Sequence, residues 1–128
     1  MNLLDTSYLI DFEHGHDAAR EFFETHEHEP LAVSPISVFE LAFGIVWSDT
    51  GSLDELARSL EWVAFLDFSV EDALEGARIQ AELQSNGNRL PMTDVMIAGV
   101  ARNRGATLTT SDDHFSMVAG LAVESHHP

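Results

Sequence analysis

An α/β fold with a parallel sheet covered on both faces is what this chain predicts, and three observations predict it. Short apolar runs alternate with longer segments of helical periodicity. At 128 residues and 45% hydrophobic content, the chain is long enough for one domain with a single buried core. Four acids, Asp5, Glu40, Asp94 and Asp112, stand where apolar runs stop or helices start. Carboxylates on a solvated face need no such neighbours, so these suggest one rim of the sheet.

Taken in order, Leu3-Leu4 opens a buried strand, and Thr6 to Phe12 reads as a helix begun by Asp5 or Thr6. His14-Gly15-His16 breaks it, and Asp17 caps a second helix to about His26. Leu31 to Val33 is a second strand, after which Pro35 opens a helix whose apolar residues continue to Trp47. Ser52 to Glu55 is a capping-box start for a helix to Leu60, and Val63 to Phe68 is a third strand. Ser69-Val70-Glu71-Asp72 starts a helix to Gln84, with Ala73, Ala77 and Ala81 on one face. A helix from Thr93 to Asn103 stops at Gly105, Thr107 to Thr109 is a fourth strand, and Leu121 to Val123 is the last. There is no internal repeat or linker; residues 1–128 read as one domain, with 125–128 a loose tail.

Composition narrows the function. Without cysteine, disulfides and thiolate metal sites are excluded. No basic segment precedes the first strand and no apolar run is long enough to span a membrane, so a soluble, cytoplasmic protein is expected. Twenty-two acidic residues face six basic ones, all arginine, for a net charge of −16. That balance suits a halophile, since molar salt shortens the Debye length to about 3 Å and screens self-repulsion. An acidic mesophilic protein with an acidic partner-binding face is the alternative.

Each of the four acids has a structural explanation. Asp5 can cap the first helix, Glu40 can complete a capping box with Ser37, Asp94 can complement a helix dipole, and Asp112 can cap the turn holding His114 and Phe115. Together they read differently, because strand-to-helix junctions of a parallel sheet converge on the rim where ligands bind. Two like charges about 4 Å apart repel by up to ~4 kcal/mol at an effective dielectric of 20. A divalent cation with a preference for carboxylate and water oxygens, Mg²⁺ or Mn²⁺, offsets that repulsion.

The motifs Leu3-Leu4-Asp5-Thr6-Ser7, Ser34 to Leu41, Asp94 to Ala101 and Leu108 to Phe115 resemble, in order and spacing, those of PIN-domain ribonucleases, above all the VapC-type toxins of toxin–antitoxin pairs. The resemblance covers essentially the whole chain. It implies a three-layer α/β/α domain with a mainly parallel sheet of about five strands. It also implies one or two Mg²⁺ or Mn²⁺ ions held at Asp5, Asp94 and Asp112, with Glu40 completing the catalytic cluster directly or through water. Thr6 and Thr110 match hydroxyl positions that orient the acids, and Asp113 is an alternative to Asp112. The implied activity is metal-dependent endoribonucleolytic cleavage. The implied partners are RNA, a VapB-type antitoxin and a second toxin copy.

Other features fit this reading less directly. Six arginines are too few for a broad basic groove. Arg89, Arg102 and Arg104 are the candidates for RNA contact, against ordinary roles in solvent or at a helix C-terminus. His14, His16, His26, His28, His126 and His127 read as surface histidines, and His114 has no assigned role. Phe39, Phe43, Val46 and Trp47 form a helical stripe that reads mostly as core, although Leu41 and Ile45 make the helix apolar almost all round, so one face can meet a partner. A phosphoacceptor receiver domain needs a rim lysine, and a haloacid-dehalogenase-type phosphatase needs an acid where Ser7 stands. A DNA-directed 5′-nuclease needs an arch this chain lacks. A catalytically inactive PIN-like domain binding RNA or antitoxin is the remaining alternative.

Overall fold

Five short parallel strands form the centre of the molecule, in the order β3-β2-β1-β4-β5. The computed structural model describes residues 1–126. Along the chain run β1 (Asn2–Leu4), α1 (Thr6–Glu13), α2 (Asp17–His26), β2 (Leu31–Val33), α3 (Pro35–Ser48) and α4 (Leu53–Ser59). They are followed by β3 (Ala64–Phe65), α5 (Val70–Ser85), α6 (Met92–Arg104), β4 (Thr107–Thr110), a 3-10 helix (Asp113–Met117) and β5 (Ala122–Ser125). Only the third strand is much shorter than its apolar run predicts.

Strand alternation divides the core in two. Leu3 and Ala32 point to one side, where they join Ile79 and Leu83 of α5, Val95, Ile97 and Val100 of α6, and Phe115. Leu4, Leu31 and Val33 point to the other, with Tyr8 and Leu9 of α1, Ala19 and Phe22 of α2, and Leu60 and Val63. Both faces are covered, so the domain has the three expected layers.

Several helix starts follow from local chemistry. Ser34 Oγ accepts the Ile36 N–H at 3.1 Å with Pro35 in the first turn of α3. Ser69 and Asp72 form a reciprocal capping box at α5. The alanines at 73, 77 and 81 lie on the outer face of α5; its buried face is Asp72, Gly76, Ile79 and Leu83. There α6 comes so close that a methyl on Gly99 would stand 2.7 Å from the Asp72 carbonyl and the Gly76 nitrogen.

Two expectations about the surface are corrected. Phe39, Phe43, Val46 and Trp47 are exposed rather than core, Trp47 at 81%, because no element among the described residues lies over that face of α3. The three rings run along the helix with near-parallel planes, their centroids 6.3 and 6.0 Å apart. The tail is also less loose than expected. Ser125 pairs with Thr110 in the sheet, and His126 is buried against Tyr8 with Nε2 2.8 Å from Asp11 Oδ2. His126 is thus no surface histidine, and His26 is half-buried, stacked on Phe22; His127 and Pro128 lie outside the described residues.

Candidate metal centre

The chain runs from β1 outward to β3, then returns to place β4 on the other side of β1. The switch point of this sheet therefore lies between β1 and β4, where a crevice opens at the strand C-termini. Asp5 leaves β1 at this point, its N–H still bonded to the Thr109 carbonyl at 2.9 Å. Ser111 and Asp112 leave β4 beside it. Glu40 reaches the crevice from α3 and Asp94 from the first turn of α6.

The capping explanations for Asp5, Glu40 and Asp112 do not survive the geometry, whereas Asp94 does lie in the first turn of α6, where it complements the helix dipole. Asp5 and Asp112 occupy N-cap positions, yet neither side chain makes a capping hydrogen bond. Helix α3 is capped by Ser34, so Ser37 and Glu40 form no capping box. Instead, Asp5 Oδ2 accepts hydrogen bonds from Ser7 at 3.0 Å and Thr110 at 2.8 Å. Glu40 accepts from Thr6 at 2.8 Å on one oxygen and from Thr93 at 3.3 Å on the other. Asp94 Oδ2 is 2.9 Å from His114 Nε2. The Asp112 N–H donates to Thr110 Oγ1 at 3.0 Å, and the Ser111 N–H to Ser7 Oγ at 3.1 Å. Asp113 is exposed, while Asp112 is half-buried.

Electrostatics tie the acids together. Burial raises the Asp5 carboxyl above its ordinary value against the pull of its Thr110, Ser7 and Thr6 hydrogen bonds, and the Asp112 charge adds to the rise. Burial also raises Asp94, reinforced by Asp5 and Glu40 and opposed by His114. Among the described residues no three His, Asp or Glu side chains enclose a metal as they stand. The acids are gathered at one rim without closing into a coordination shell, as mutual repulsion requires. The rim nonetheless fits a cation, because Asp5 is 2% exposed and its Oδ1 is buried without a hydrogen-bond donor. A buried anionic oxygen left without a donor is costly, and a hard cation removes that cost.

Thr6 and Thr110 do meet acids, though Thr6 serves Glu40 rather than Asp5. Ser7 and Thr93 are additions that sequence reasoning passed over. Their only signal was a hydroxyl next to, or two residues from, a rim acid. Two of the arginines nominated for RNA are spoken for internally. Arg102 pairs with Glu75 and Glu82, each at 2.8 Å, and bonds the Ala119 carbonyl. Arg104 pairs with the buried Asp72 at 2.9 Å. Arg89 is exposed and makes no ion pair among the described residues.

An all-parallel α/β sheet whose switch point carries four carboxylates, two of them held by hydroxyls and one by a histidine, is the architecture of a domain that presents acids to a ligand at one rim. This chain belongs to the PIN-domain family, which it matches over residues 3–121. Ribonuclease VapC5 of Mycobacterium tuberculosis is 31% identical to it over 124 residues, covering 94% of this chain and 89% of that protein. The tRNA(fMet)-specific endonuclease VapC of Shigella flexneri is 29% identical over 126 residues, covering 95% of each. Among solved structures, VapBC2 from Rickettsia felis bound to a DNA fragment from its promoter superposes with a TM-score of 0.84 at 22% identity, covering 97% of both chains. VapBC-5 from Mycobacterium tuberculosis, a member of the VapBC family of toxin-antitoxin systems, matches with a TM-score of 0.72 at 27% identity, covering 97% of this chain and 95% of that one. PIN-domain nucleases generally use divalent metals. Among the described residues no helix is long and apolar enough to cross a membrane.

Proposed function

We propose that this protein is a divalent-metal-dependent endoribonuclease acting in the cytoplasm as the toxin of a VapBC-type toxin–antitoxin pair. The observation that carries the reading is the buried, donorless Oδ1 of Asp5 at a rim shared with Asp94, Asp112 and Glu40. Asp5, Asp94 and Asp112 would hold one or two Mg²⁺ or Mn²⁺ ions. A cation bound there supplies water activation and charge neutralisation on a phosphoryl oxygen. Ser7 and Thr110 hold Asp5 in place through Oδ2, leaving the buried Oδ1 without a donor from the protein. Both oxygens of Glu40 already accept a hydroxyl, which suits it to orient water rather than to bind metal first. Arg89, in the approach to α6, is the arginine we assign to an RNA phosphate.

The exposed stripe of α3 supports the partner half of the reading. Four large apolar side chains in one line are a surface for a protein partner. Structural neighbours include VapBC toxin-antitoxin complexes. We assign this face to the antitoxin or to a second toxin copy.

Cleavage of structured RNA, tRNA included, by purified protein with Mg²⁺, Mn²⁺ or EDTA tests the reading beside Asp94→Asn. That variant removes one rim charge at nearly constant shape. Metal-dependent cuts that vanish in a folded Asp94→Asn are expected. Equal turnover by the variant refutes the assigned site, and a folded, metal-binding wild type that cuts no RNA supports the non-catalytic binding module instead.

A further inference from the structure

The 3-10 helix after β4 carries two side chains toward the rim, Asp112 at its N-cap and His114 two residues on. Its next residue, Phe115, is fully buried, and the His114 ring lies against it with centroids 4.7 Å apart. The imidazole is thus braced from behind while Nε2 stands 2.9 Å from Asp94 Oδ2. An ionised carboxylate only accepts, so Nε2 is the donor. Asp94 Oδ1 takes no hydrogen bond from any described residue.

Asp5 shows the same division: Oδ2 is held by Ser7 and Thr110, while Oδ1 has no donor. Two rim acids therefore each have one oxygen fixed by the protein and one left over, and the three fixing side chains, Ser7, Thr110 and His114, come from different elements. Asp94 has no hydroxyl in this role; His114 is its sole side-chain donor among the described residues. Carboxylates that bind metals are themselves hydrogen-bonded, and losing such an outer partner typically weakens metal affinity about 10–100-fold. A direct ligand role for His114 fits less well, since its Nε2 is already engaged and hard cations prefer oxygen.

We propose that His114 is the positioning residue for Asp94: its Nε2–H fixes Oδ2 so that Oδ1 faces the cation, and it thereby sets metal affinity. The proposal rests on the metal-dependent reading above. Mn²⁺ binding by calorimetry, with no RNA present, tests it on the wild type, His114→Ala and His114→Gln, each checked for fold by circular dichroism. Alanine is expected to weaken Mn²⁺ binding about 10–100-fold. Glutamine, whose amide N–H reaches the position of Nε2, is expected to restore most of the affinity. Undiminished binding by a folded His114→Ala overturns the proposal. So does a loss that glutamine leaves uncorrected, because then the ring's bulk and not its donor is at work. A wild type that binds no Mn²⁺ overturns the metal reading itself, and is told apart because it shows before any variant is compared.

Discussion

Substituting Asp72 by Asn isolates the contact that ties α5 to the end of α6. Asp72 is fully buried in the first turn of α5, where it receives the Ser69 N–H, the Asn103 amide and the Arg104 guanidinium. Burial pushes its carboxyl up, but the Arg104, Ser69 and Asn103 hydrogen bonds outweigh that and hold it at about 2, against an ordinary 3.8. A depression of that size corresponds to about 2 kcal/mol of stability at neutral pH. With unfolding entropy near ~2.1 cal/mol/K per residue, the loss lowers Tm by about 7 °C. The sign is that of a depressed acid: the contribution is complete above pH 3.8 and disappears as pH falls through about 2. Thermal unfolding of both proteins across this range is the assay. An Asp72→Asn variant as stable as wild type at pH 7 refutes the reasoning, as does a stability gap that fails to narrow on acidification.

Asp5→Asn has the opposite sign. The folded-state value of Asp5 is raised, so its stabilising effect is complete below the unfolded value of 3.8 and is lost as pH rises through the folded one. In EDTA at pH 7 the variant is therefore expected to melt above wild type, whereas Mn²⁺ raises the Tm of wild type and leaves the variant unmoved. Gly99→Ala places a methyl 2.7 Å from backbone atoms of α5 and is expected to destabilise by about 1–3 kcal/mol in urea unfolding. A neutral result there means that α5 and α6 separate more easily than their packing implies.

The acidic rim was legible in the sequence because strand-end carboxylates and a parallel sheet together dictate convergence. Its closure was not: repulsion among Asp5, Asp94 and Glu40 depends on burial that no spacing encodes. The stripe on α3 shows a second limit. Periodicity places Phe39, Phe43 and Trp47 on one face, but whether another element covers that face is a property of the whole fold. The arginines show a third. Arg102 and Arg104 lie at a helix C-terminus as their positions suggest, yet their partners on α5 lie 20 to 32 residues away. Similarly, Asp11 holds His126 across 115 residues of chain, which hid the buried histidine.

Those pairings also bear on the proposed contact with RNA. Arg78, Arg102 and Arg104 are bound to acids, and Arg20 lies 4.2 Å over the Phe12 ring. Arg58 sits in the last turn of α4, where it complements the helix dipole. With a net charge of −16, the surface offers few cationic side chains to displace the counterions condensed on RNA phosphates. Affinity of basic proteins for single strands falls with salt at a log–log slope of about −0.7 per phosphate neutralised. If Arg89 is the main contact, the slope for RNA binding by the monomer in KCl at fixed Mg²⁺ is about −0.7 or shallower. Added salt also screens the repulsion between RNA and the acidic surface, which moves the slope toward zero. Fluorescence anisotropy of Asp94→Asn, the variant expected to leave RNA uncut, measures it. A slope near −4 or steeper would require about six neutralised phosphates, more than this surface can supply, and would refute recognition through a divalent cation and a single arginine.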